Sequence, residues 1–74
     1  MKNNAKVTHL NLNTVVQPQG GQQLKRNLFD GFEGLPGVTM QLCPIGVVCK
    51  HAGRRFIIPF HAINAITIDP NEAE

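Results

Sequence analysis

Cys43, Cys49, His51 and His61 offer the most chemistry in this sequence, at the spacing Cys-x5-Cys-x-His-x9-His. Thiolates and imidazoles ligate zinc, but structural zinc sites bring their ligands in close pairs, two to four residues apart. Here the cysteines stand six positions apart across a turn, a spacing that predicts small buried hydrophobes rather than ligands. A nucleophilic cysteine would need a base and an oxyanion donor beside it. Cys49 and His51 fall two positions apart on one strand, ~6.6–6.8 Å by strand rise, too far for a direct hydrogen bond. The chain has no serine, and before its tail only Asp30, Glu33 and Asp69 carry carboxylates, in no evident pair. Gly20-Gly21 and the Gly31, Gly34, Gly37 series lack the flanking strand and helix of a phosphate-cradling loop. No catalytic residue, metal or cofactor is expected.

Binding residues are easier to nominate. Lys50, His51, Arg54 and Arg55 cluster at one hairpin tip, and Lys25-Arg26 forms a second basic patch. Such a tip can grip phosphates or an acidic protein surface; the ordinary alternative is that its charges merely solvate a turn. Phe29 and Phe32, in LFDGFEGLPG, could anchor a partner as exposed aromatics. The ordinary alternative is that both plug one open end of a small barrel, because a core this small needs its large side chains.

The elements that position these residues lie mostly between Val38 and Asp69. Ala52-Gly53 predicts a two-residue hairpin loop, since Gly takes positive φ at no steric cost. His51 then faces Arg54, Cys49 faces Phe56, Val47 faces Ile58 and, on the opposite side, Val48 faces Ile57. Pro44-Ile45-Gly46 predicts a three-residue loop closed by a left-handed Gly46. That register pairs Cys43 with Val47 and Leu42 with Val48, and groups Met40, Leu42, Val48 and Ile57 on one face. Pro59 ends the third strand and can open a helical turn over 60–64. Residues 65–69 then alternate as a closing strand, with Ile66 and Ile68 on one face.

The order of strand, helical turn and closing strand resembles SH3-like and Sm-like small barrels, a superfold that fixes no function. Before this stretch, residues 7–13 predict a first strand with Leu10 and Leu12 inward, which Thr14-Val15-Val16 could extend. Leu24, Leu28, Phe29 and Phe32 fall on one face of a helical wheel, predicting a short helical turn within a long loop. Leu35-Pro36-Gly37 turns the chain into the Val38 strand.

Seventy-four residues make one domain, with residues 1–6 and 70–74 expected to be loose. A chain this short buries only about 60–65% of the surface it exposes when unfolded. No apolar run approaches the ~20 residues needed to span a bilayer, so no membrane partner is expected. Two unpaired thiols without a leader sequence predict a reducing, cytoplasmic setting. The net charge is +2, and without the two acids of the PNEAE tail seven Lys/Arg stand against three acids. That mild basic bias permits DNA or RNA without demanding it.

The expected architecture is therefore all-β: a small curled antiparallel sheet or SH3-like barrel with a short helical turn before the last strand. The expected function is binding without catalysis, by docking on a protein, with exposed sheet edges as one mode. Phage-encoded modulators of host proteins offer an analogy. The rival expectation is a small nucleic-acid binder using Lys50, Arg54, Arg55, Lys25 and Arg26. Self-assembly into a dimer or ring through edge strands is a third.

Overall fold

A computed structural model describes residues 5–70. The expected looseness at residues 1–6 does not extend to Ala5, which is fully buried, or to Lys6, which opens a strand; residues 1–4 and 71–74 lie outside the described part.

Six strands form one antiparallel sheet curled into a half-barrel: β1 (Lys6–Leu12), β2 (Asn27–Phe29), β3 (Thr39–Cys43), β4 (Gly46–His51), β5 (Arg54–Pro59) and β6 (Ile63–Ile68). A 3₁₀ turn, Phe60–Ala62, precedes the last strand. The order along the sheet is β2-β1-β3-β4-β5, with β6 on β1. The predicted class and the turn before the closing strand are both present, although that turn is shorter than expected and β6 begins earlier.

The core lies inside the curl. Leu10, Leu12, Leu28, Val47, Cys49 and Ile58 are the largest fully buried side chains, with Val7, Leu24, Leu35, Val38 and Met40 packed around them. Strand alternation would not place both Val7 and Leu10 inward, because they are three residues apart. A register shift against β6 between Val7 and His9 absorbs the odd residue. Leu12 ends β1, so Thr14-Val15-Val16 does not extend it.

The β4–β5 hairpin has the predicted register, with Val47↔Ile58, Val48↔Ile57, Cys49↔Phe56 and His51↔Arg54 paired. Ala52 (φ 53°) and Gly53 (φ 77°) are both left-handed, as a two-residue hairpin turn of the primed kind requires. The β3–β4 hairpin differs from expectation by one residue. Its loop is Pro44-Ile45, and the pairs are Cys43↔Gly46, Leu42↔Val47 and Met40↔Cys49. Gly46 is not left-handed. It lies within β4, where a β-carbon would collide with the Ile58 carbonyl oxygen and sit 2.9 Å from Pro59 Cα, so only glycine fits. The shift moves Met40 and Leu42 to the inner side with Val47, Cys49 and Ile58. Gln41, Val48 and Ile57 form the outer side.

The predicted helical turn within 22–32 is not formed. Residues 22–26 have no regular structure, and Asn27–Phe29 pairs with β1 as His9↔Phe29, Leu10↔Leu28 and Asn11↔Asn27. Strand pairing with Leu10 buries Leu28 without any helix, so the helix-like spacing of the four apolar residues is incidental.

Candidate functional site

β2 and β3 lie along the same edge of β1 and amount to one interrupted strand. Counting on from His9↔Phe29, an unbroken strand would set Gly31 opposite Val7, yet Met40 stands there. Nine residues, 31–39, are thus spliced into the strand as an excursion. Compact loops of this kind, with close ends and packing of their own, are frequently functional.

Its hydrogen bonds hold the excursion in one shape. The Leu35 N–H donates to the Phe29 carbonyl (2.8 Å), that of Gly34 to Gly31 (3.0 Å) and that of Val38 to Leu35 (3.1 Å). The last bond closes a turn with Pro36 presetting φ and Gly37 at φ 84°, the signature of a type II turn. The Asp30 carboxylate accepts from the Gly37 N–H (2.8 Å), and the Lys25 ammonium donates to the Glu33 carbonyl (3.2 Å). Leu35 and Val38 are buried as its feet.

Two phenylalanines of this loop region take different positions. Phe29 is half-buried, its ring stacked on His9 at 4.5 Å and 17°. β-Carbons on Gly31 and Gly34 would press into that ring, at 3.0 Å and 2.9 Å from its nearest carbons. Phe32 is 92% exposed. The alternative that both rings plug the barrel therefore fails for Phe32, which lies exposed on the loop.

The basic residues do not form one patch. Lys50 pairs with Arg55 and with Thr39 on the outer side, whereas His51 pairs with Arg54. The Arg54 guanidinium reaches back over Gly20, with Nη1 2.8 Å from where a β-carbon on that residue would be. Lys6 joins the outer side by pairing with Gln41, itself opposite Val48. A cleft of about 300 Å³ opens there, lined by Lys6, Thr39, Met40, Gln41, Val48 and Lys50. Lys25 and Arg26 stand at the other end of β1, where the Arg26 carbonyl accepts from the Leu12 N–H. Six residues of strand, about 20 Å, separate Lys6 from that point. Lys6 escaped the sequence reading because its place depends on pairing with a residue far along the chain.

A third feature also went unread in the sequence. The Asn64 amide donates to the Asn11 carbonyl oxygen (3.0 Å), and the Asn11 amide donates to that of Asn27 (2.9 Å). This relay crosses β6, β1 and β2, tying the closing strand to the root of the excursion. The wet alternation of residues 9, 11 and 13 was its one sequence signal.

The cysteines and histidines gain no shared chemistry. Burial, and secondarily the neighbouring Cys43, push the Cys49 thiol up to about 12, so it stays protonated at neutral pH. A buried thiol is neither a nucleophile nor a ready ligand. Among the described residues, no three His, Cys, Asp or Glu side chains gather as a metal ion would need. No helix among them is long and apolar enough to cross a membrane.

No protein-family model matches this chain, and neither a curated protein nor a solved structure shows significant similarity to it.

Proposed function

We propose that the protein is a non-enzymatic docking module that binds a larger protein through the Phe32 loop. The carrying observation is a 92%-exposed phenylalanine on a loop fixed by its own hydrogen bonds. A small domain gains stability by burying its aromatic rings, and the same burial is available at an interface. Full burial of one Phe side chain contributes about 1.5–3 kcal/mol, and such anchors dominate binding energy where they fill a pocket. A loop already ordered before contact loses little further entropy on binding. Exposed Glu33 adjoins Phe32 in the loop, so the complementary pocket is apolar with a cationic rim. A modulator or inhibitor of a larger enzyme is a role open to such a module.

Affinity capture from the native cell's lysate, with wild type and Phe32→Ala side by side, tests this. The proposal expects a protein recovered by wild type and lost with Phe32→Ala, while Arg26→Gln, an exposed side chain outside the loop, retains it. Recovery of the same partner by Phe32→Ala at equal yield would place the contact elsewhere.

A further inference from the structure

A second surface, separate from the Phe32 loop, carries an inference of its own. Register places Thr39, Lys50 and Arg55 in one row across β3, β4 and β5, and Lys6, Gln41, Val48 and Ile57 in the next. All point away from the core, because Met40, Cys49 and Ile58, which alternate with them, are buried. Lys6 and Lys50 line one cleft, and Arg55 stands beside Lys50 on the same face as its cross-strand partner, so three cations from three strands share roughly 14 Å of sheet at ~4.8 Å per strand. Ile57, 46% exposed, and Val48 provide apolar surface between them. Among the described residues two acids stand at the margin, Asp30 beside Lys6 and Thr39, and Asp69 beyond Lys6. The Asp69 N–H donates to the Lys6 carbonyl (3.0 Å), and the Asp30 carboxylate is engaged by Gly37.

We propose that this outer face, with Lys6 and Lys50 in the cleft and Arg55 beside Lys50, binds the phosphate backbone of single-stranded nucleic acid without reading its sequence. An acidic peptide suits the face less well. Backbone groups within a sheet are already bonded to neighbouring strands, so an added peptide strand pairs at an edge and not on a face. An extended peptide also points alternate side chains away from the cations. A nucleic-acid strand carries a charge at every residue and needs no backbone partner. A single strand suits three cations gathered on one small face, whereas the second backbone of a duplex would meet no counterpart there. Val48 and Ile57 can touch base faces, but the face bears no aromatic ring for strong stacking. Binding is therefore weak and electrostatic.

The test is fluorescence anisotropy of a labelled 20-nucleotide oligothymidine titrated with the full chain at about 20 to 200 mM NaCl. Three phosphate contacts on a single strand give a slope of log K on log salt near −2, or roughly a 100-fold loss over that tenfold range. Lys50→Gln with Arg55→Gln should weaken binding at least about tenfold at the lowest salt and flatten the slope to about −0.7. Lys25→Gln with Arg26→Gln, at the far end of β1, should leave both unchanged. If the double variant at 50 and 55 melts early, Lys6→Gln alone carries the same prediction with a slope reduced by about 0.7. No anisotropy change at about 20 mM salt and 100 µM protein would overturn the proposal. So would an unchanged slope in the cleft variants, equal affinity for a duplex of the same length, or equal competition by polyglutamate.

Discussion

The ring of Phe29 lies against the imidazole of His9, with centroids 4.5 Å apart and planes 17° from parallel. The two residues are cross-strand partners, and Gly31 and Gly34 pack onto the same ring. Phe29 is thus the structural root of the excursion, and Phe32 its exposed tip. Phe29→Ala should lower the unfolding free energy by roughly 2–3 kcal/mol, less than a fully buried Phe because part of the ring is wet. Phe32→Ala should change it by less than about 0.5 kcal/mol. Urea denaturation of both variants checks the contrast; similar losses would mean that Phe32 is packed.

Ala52 sits at φ 53° with its side chain exposed. A left-handed L-residue with a β-carbon is strained by roughly 1–2 kcal/mol, and Asn tolerates that region better than Ala. Ala52→Asn should therefore stabilise the fold by about 0.5–1 kcal/mol. For a chain of this size that raises Tm by roughly 2–8 °C. A lowered Tm in a thermal melt would show that the turn is not of the primed kind.

The legible and illegible parts of the fold separate by the distance over which each residue's role is decided. Ala52-Gly53 settles its hairpin locally, so every pair from Val47↔Ile58 to His51↔Arg54 follows from the turn. Gly46 has two possible uses, as a left-handed residue or as a place without a side chain. The collision that selects the second comes from Ile58, on another strand, so the β3–β4 register is displaced by one. The excursion after Phe29 was illegible for the same reason. Leu24, Leu28, Phe29 and Phe32 share a helical spacing, and only pairing with His9 and Leu10 shows the segment to be a strand. The basic tip was visible as a cluster, but a hairpin sends adjacent residues to opposite sides. Arg54 and Arg55 part company there, and Lys6 takes a place with Lys50 and Arg55 through its pairing with Gln41.

Gly46→Ala should be among the most damaging single substitutions. The added methyl would meet the carbonyl oxygen of Ile58 and press on Pro59, both backbone groups that cannot rotate away. Overpacking of this kind costs about 1–3 kcal/mol, with the upper end expected where backbone must move. Gly53→Ala is the matched control, since its β-carbon meets nothing and only the strain at φ 77° of roughly 1–2 kcal/mol applies. Chemical denaturation should rank Gly46→Ala below Gly53→Ala, and the reverse order would remove the packing role assigned to Gly46.

Cys49 gives the fold a limit at high pH. Its thiol is pushed from 9.0 up to about 12 by burial first and the neighbouring Cys43 second. The protonated thiol is the form the core accepts, so this contribution is fully present below about pH 9. Above that, the unfolded chain ionises while the folded chain holds its proton, and stability falls as pH rises toward 12. By pH 11 the loss amounts to roughly 2–3 kcal/mol, from 1.36 kcal/mol per pH unit across the interval. Cys49→Val keeps an apolar side chain there and removes the proton. Its unfolding free energy, followed by urea titration from pH 8 to 11, should fall less steeply than that of wild type by about this amount. Parallel profiles for the two proteins would mean that the Cys49 thiol is already accessible to water in the folded state.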